Sequence, residues 1–143
     1  CTGLDEVTRA FRRPAVYVNF LPIQNIVSYS PCVNAPKRLY WIESGRELTL
    51  SEHLDARYMA SRKYEEAGIV IKDLSPDEIR FAVREMILRE RGLWVDNERK
   101  IDRQRQFWRI MRSHAEWGAF HGVVDPSVYV NDYFIRKHAK WLQ

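Results

Sequence analysis

The chain reads as an α/β protein: a helix-rich, partial Rossmann-like domain with a few short parallel strands. Three observations predict this. Residues 1–20, CTGLDEVTRAFRRPAVYVNF, run from a small Thr-Gly loop through an amphipathic segment into a β-branched and aromatic strand, which is half of a βαβ unit. Two S/T-x-x-E capping boxes, starting at Thr49 and Ser75, open later helices. Between them lies the apolar run Ile69, Val70, Ile71, and helix–strand–helix alternation is the grammar of α/β folds.

Taken in order, residues 4–11 place Leu4, Val7, Ala10 and Phe11 at helical spacing, and Arg12-Arg13-Pro14 stops the helix. Residues 15–20 form the strand. Residues 21–37 hold Pro22, Pro31 and Pro36 with no sustained period, which predicts a long irregular loop after a strand's carboxyl end. Residues 38–42 are a short apolar strand or extended segment, and residues 43–46 a turn. The Thr49 box starts a helix carrying Leu50, Leu54 and Tyr58 on one face. A second short helix over 61–67 ends at Gly68, the usual left-handed cap. Residues 69–71 then read as a buried strand.

Ser75-Pro76-Asp77-Glu78 is the clearest local signal: serine caps, proline sits where its missing donor costs nothing, and Glu78 closes the box. That helix runs to about Arg91, with Ile79, Ala82, Val83, Met86 and Ile87 as its stripe and Arg80, Arg84, Glu85 and Arg89 toward water. Asp96 or Asn97 begins another, carrying Ile101, Gln104 or Arg105, Trp108 and Met111 on one face. Residues 115–124 read as loop, and Asp125-Pro126 opens a last helix over 127–142.

A length of 143 residues fits one domain, and 45% hydrophobic residues suffice for a folded core. The net charge of +4 is compatible with an anionic partner and requires none. Cys1 and Cys32 make neither a disulfide framework nor a metal motif, so reducing, cytoplasmic surroundings are expected. His53, His114, His121 and His138 are scattered without metal spacing, and Cys32 has no base beside it in sequence. G-x-G-x-x-G and P-loop patterns are both missing from the sequence. No apolar run approaches the roughly 20 residues that span a bilayer. The basic residues from Arg99 to Arg112 lie near Phe107 and Trp108, but Asp96, Glu98 and Asp102 interrupt them. A solvated helix face is the expected reading there, not a nucleic-acid surface.

The helix start at residues 2–5 carries the chemistry. Thr2 is placed to cap, Gly3 permits close approach of a ligand, and the free N–H groups with the positive helix end suit a phosphate.

The run T-G-L-D-E-V-x(4)-F-R-R-P-A-V-Y-V-N-F-L-P-I resembles the C-terminal region of a family of bacterial GT-B-like glycosyltransferases of surface-polysaccharide synthesis. Ordered matches continue through Ala35-Pro36-Lys37, Tyr40-Trp41, the RELTL run from Arg46, the run from Tyr64 to Ile69, the Ser75 helix start and Phe107-Trp108. The resemblance implies a single domain over 1–143 that is the C-terminal, donor-binding portion of a longer two-domain enzyme. It implies that Thr2, Gly3, Leu4 and Asp5 occupy the donor loop, with Thr2 where the family usually has Ser, and that Asn19 and Lys37 lie near the cleft. The implied partners are a nucleotide-sugar donor, a glycan or lipid-linked acceptor and an N-terminal domain. Neither a metal nor a further cofactor is implied, and no catalytic base maps onto the chain. The implied location is cytoplasmic, including the inner face of the membrane. The rival expectation is a non-enzymatic interaction module that docks through the aromatic residues from Trp94 to Trp141.

Overall fold

The computed structural model describes residues 4–143. Its elements are α1 (Leu4–Ala10), β1 (Ala15–Phe20), β2 (Cys32–Pro36), β3 (Arg38–Trp41), α2 (Leu50–Asp55), α3 (Ser61–Glu66) and β4 (Ile69–Lys72). They continue with α4 (Pro76–Glu90), α5 (Glu98–Ser113), α6 (Trp117–Phe120), β5 (Val128–Val130) and α7 (Asp132–Lys137). The fold is α/β and Rossmann-like in part: β1, β2 and β5 form a parallel sheet in that order, wrapped by helices. A separate antiparallel pair, β3 with β4, sits over a smaller core of Leu39, Leu48, Ala56, Tyr64 and Ile69.

β2 is the centre of the sheet, and residues 21–37 are therefore not all loop. Every residue of β2 is buried. Side chains alternate between the two faces of a strand, so both faces are covered, and such a strand shows no apolar–polar alternation to read. Its prolines also sit at the margins: Pro31 precedes the strand and Pro36 is its last residue. Ala15 to Val18 pair in register with Cys32 to Ala35, and Cys32 to Asn34 pair with Val128 to Val130.

The expected helix over 127–142 is instead β5 followed by α7. Val128, Tyr129 and Val130 are a strand-forming triplet with a partner waiting in β2. Asn131 then caps α7, its side chain accepting from the Phe134 amide at 2.9 Å. β5 is an edge strand, and a side chain closes that edge. The Gln104 carboxamide donates to the Val130 carbonyl at 2.6 Å and accepts from the Val130 amide at 3.0 Å, as a neighbouring strand would. The residue expected on the apolar stripe of α5 is thus a backbone mimic.

Local signals hold where the chemistry is local. Both capping boxes are formed, at Thr49 with Glu52 and at Ser75 with Glu78, and Asn97 caps α5. Gly68 and Gly92 end their helices with φ of 74° and 67°, the left-handed region a Cβ disfavours. The face of α4 differs from expectation. Glu78 and Glu85 are buried with Ala82 and Met86, whereas Val83 and Ile87 are 41% and 42% exposed. Glu85 turns inward because its Oε2 accepts from both Asn131 Nδ2 and the Asp132 amide at 2.8 Å, while Oε1 takes Arg89. β4 pairs antiparallel with β3 and leaves Val70 exposed, and one helical turn, α6, interrupts the expected loop at 115–124. On α1, Val7 and Phe11 stay exposed despite their helical spacing.

The aromatic residues of the C-terminal half meet inside. Phe107 contacts Trp108 and Trp141 at ring-centroid distances of 4.8 and 5.8 Å, and Phe134 reaches Trp141 at 5.0 Å. His53 stands edge-on to Trp141 in the same core, 1% exposed, with neither ring nitrogen hydrogen-bonded among the described residues. Burial pushes its pKa down to about 3, so it is neutral in the fold.

Two stability predictions follow from these contacts. Gln104→Leu leaves both Val130 groups unpaired and lowers unfolding free energy by about 1–3 kcal/mol in urea titrations. Between pH 6.5 and about 3 the unfolded chain protonates His53 while the fold does not. The unfolded state therefore binds more protons there, and acid removes stability at up to about 1.4 kcal/mol per pH unit. His53→Leu raises the urea midpoint at neutral pH and flattens its decline between pH 6.5 and 5; an unchanged slope contradicts the assignment.

Candidate functional site: the carboxyl edge of the parallel sheet

Ligands of open α/β sheets bind beyond the carboxyl ends of the strands. Here β1 ends at Asn19 and Phe20, β2 runs into Lys37, and β5 runs into Asn131 and Asp132. Thr2 and Gly3, and the side chains of Leu4 and Asp5, lie outside the described residues. Asn19 and Lys37 are brought together. Both line one groove of about 720 Å³, whose far wall comes from Tyr58, Tyr64 and Ile71.

Asn19 is where β1 breaks register. Its φ is 55°, and the β1–β2 pairing shifts between Val18 and Phe20. Asparagine tolerates the left-handed region better than most residues, and a bulge re-aims the strand end. Its Oδ1 accepts from the Leu74 amide at 2.7 Å, tying β1 to the segment that leads into α4. The Asn19 Nδ2 group makes no hydrogen bond among the described residues.

Lys37 Nζ pairs with Asp73 Oδ1 at 2.5 Å, and Arg38 donates to the Asp73 carbonyl at 2.5 Å. Asp73 is mostly exposed, so the pair is held in water and is easily exchanged for another anion. Tyr64 backs the groove with its ring, but its hydroxyl is itself buried, and that burial raises the phenol to about 12. The groove thus offers one amide and one lysine whose partner is replaceable, beside two acids, Glu65 and Asp73.

Apart from the groove lining, a charge cluster that the linear pattern does not show joins Glu47, Glu78 and His138. His138 is turned so that Nδ1 meets a Glu47 carboxylate at 2.9 Å and Nε2 meets Glu78 Oε1 at 2.7 Å. Lys137 adds a contact to Glu78 at 3.3 Å. Burial pushes Glu78 up, but the bonds from His138 and from Ser75 outweigh it and bring the carboxyl down to about 2. Burial likewise pushes His138 down, and the two carboxylates more than reverse this, raising it above the ordinary histidine value. His138 is therefore an imidazolium donating to both acids. The one trace in sequence is the role of Glu78 in closing the α4 capping box; Glu47 and His138 lie 91 residues apart.

Cys32 is ruled out as a nucleophile. It is fully buried, its thiol is pushed up to about 12 mainly by burial, and Asn34 Nδ2 donates to its sulfur at 3.2 Å. His121 accepts from or donates to Ser28 Oγ at 2.8 Å and reaches the Gln24 carbonyl at 2.6 Å, but Ser28 is 3% exposed and this pair fastens the β1–β2 connection to α6. Among the described residues no group of three or more His, Cys, Asp or Glu side chains is placed to hold a metal, and no helix is long and apolar enough to cross a membrane. Comparison with known protein families, curated proteins and solved structures returns no match.

The His138 cluster predicts a pH signature opposite to that of His53. The fold keeps the His138 proton above pH 6.5 and the unfolded chain does not, so this contribution is complete below pH 6.5 and fades as pH rises through the raised value. His138→Gln leaves Glu78 buried beside a neutral partner and costs about 3 kcal/mol at pH 6. That cost shrinks at alkaline pH, as urea unfolding of both proteins at pH 6 and pH 9 reads directly.

Proposed function

We propose that the chain is the donor-binding part of a glycosyltransferase that moves a sugar from a nucleotide-sugar donor to a surface-glycan acceptor. The observation that carries this reading is the groove at the ends of β1 and β2, which gathers Asn19 and Lys37 from separate strands. Its volume suits a small ligand. The N-terminal stretch with Thr2, Gly3, Leu4 and Asp5 precedes the same strand, β1, and supplies the helix start at which a diphosphate is stabilised.

In this reading the negative charge of the departing nucleoside diphosphate grows as the glycosidic bond breaks. Preorganised donors at the helix start lower the barrier by meeting that charge. Lys37 exchanges Asp73 for a phosphate oxygen, and the Asn19 amide orients the sugar or the diphosphate. An acceptor base is expected from the other side of the cleft, since one domain cannot orient two substrates.

The rival interaction-module reading relies on the aromatic residues of the C-terminal half. Of these, Trp108 and Trp141 are buried in the core, which leaves Trp94 and Phe120 nearer the surface.

Thermal unfolding with uridine, guanosine, cytidine and adenosine diphosphates tests the proposal. One nucleotide stabilises the chain, by about 2.7 kcal/mol at one hundred times its Kd. Lys37→Ala, which removes an exposed ion pair of small energetic weight, abolishes most of that shift without changing the ligand-free melting temperature. No shift from any nucleotide, in this chain and in a longer chain that includes the preceding domain, overturns it.

A further inference from the structure

A second groove at the same edge of the sheet has a different chemistry. It lies past the end of β5, between α4, α5 and α7, and encloses about 480 Å³. Its lining brings together five cationic side chains, Arg84, Arg99, Lys100, Arg103 and Arg136, against two carboxylates, Glu85 and Asp132. It shares no lining residue with the Asn19–Lys37 groove.

Both carboxylates are already committed. Asp132 is 4% exposed; its Oδ1 takes the Arg103 fork at 3.0 and 2.5 Å, and its Oδ2 takes Arg136 at 3.3 Å. Glu85 spends its oxygens on Arg89, Asn131 and the Asp132 amide. Arg84 on α4 and Arg99 on α5 make no hydrogen bond or ion pair among the described residues. On the same two helices Arg80 pairs with Asp77 at 2.9 Å and Arg105 with Asp102 at 3.5 Å, whereas Arg84 and Arg99 share their groove with acids that are already taken. The cations of the groove are therefore in excess where the wall is concave.

That wall is also aromatic. Phe81 and Tyr133 stack at 4.2 Å with planes 23° apart, and Trp94 lies under Lys100 at 4.0 Å and under Arg89 at 4.8 Å. Low-dielectric walls around like charges focus the field into the groove. Planar guanidinium forks match the oxygens of phosphate in pairs. Asp96 takes the Trp94 indole at 2.8 Å and Arg89 at 3.4 Å beside the groove, and Asp102 takes Arg105 farther along α5, so acids interrupt the positive surface that a nucleic-acid backbone would follow.

We propose that this groove is a second anion site, which binds the phosphate or diphosphate group of a small phosphate ester through Arg84 and Arg99, with Arg103 and Arg136 held ready by Asp132. The site goes beyond the donor reading and does not depend on it. In a glycosyl-transfer reaction it is suited to the phosphate of an acceptor or of a second nucleotide.

Calorimetric titration with pyrophosphate and with uridine diphosphate, at constant ionic strength, tests the site in four proteins: the unaltered chain, Arg99→Gln, the double variant Arg84→Gln/Arg99→Gln, and Lys37→Ala. Saturable binding is expected, weakened several-fold by Arg99→Gln and tenfold or more by the double variant, with ligand-free melting temperatures unchanged because both side chains are exposed. Lys37→Ala retains pyrophosphate binding. Absence of saturable binding, or equal affinity in the double variant, overturns the proposal. So does loss of binding in Lys37→Ala alone, which assigns the ligand to the other groove and leaves the donor reading standing. Equal binding of malonate overturns the preference for phosphate, and affinity that grows with the length of an oligonucleotide replaces the small ester with nucleic acid.

Discussion

A parallel strand buried on both faces sets the terms for the rest of this structure. Cys32 to Pro36 has no side exposed to water, so its backbone groups need partners in the protein and its faces need cover. β1 and β5 pair with its two edges, and α4 packs against β1 and β2. Because β5 has only three residues, its far edge is closed by the Gln104 carboxamide, not by another strand. Burial of β2 also explains the inert thiol at Cys32 and the buried Asn34, whose Nδ2 donates to that sulfur and to the Tyr129 carbonyl.

The polar groups inside the fold occur as clusters, each tying together elements distant in sequence. Glu85 joins α4 to the start of α7, and Arg103 of α5 reaches the same corner through Asp132. Glu47, Glu78 and His138 join the segment before α2, the start of α4 and the end of α7. Buried ions need bonded partners, and Glu78, Glu85 and Asp132 each take two or more donors, while Glu47 takes His138. His53 stands outside these clusters. Its unpaired ring survives as a neutral imidazole among aromatic residues.

The same clusters shape the two grooves. The Asn19 bulge and its bond to Leu74 hold the end of β1 against the loop that carries Asp73, the partner of Lys37. Past β5 on the same edge, Glu85 and Asp132 serve as structural anchors and leave Arg84 and Arg99 without counter-ions among the described residues. One groove sets Lys37 against two acids, Glu65 and Asp73, and the other is cationic, although both sit at carboxyl ends of strands in one small sheet.

What the sequence by itself determined is what the chain does within a turn or two. The caps at Thr49, Ser75 and Asn97, the stops at Gly68 and Gly92, the first strand and the α/β alternation are all governed by neighbours three or four residues away. Asn19 and Lys37 were set near one cleft only by the family resemblance; the strand that carries Lys37 to the groove, β2, read as loop in the sequence. Tertiary structure alone decided the rest. β2 lacks alternation because both its faces are covered, and β5 is a strand because β2 lies beside it. Glu85 turned inward because Asn131 and Asp132, more than forty residues later, supply its hydrogen bonds. Pattern rules see only one element's own periodicity, and a charge paired across such a distance leaves no periodic mark. The excess charge of the β5 groove is of that kind: it exists because packing gathers five cations from three helices around two acids.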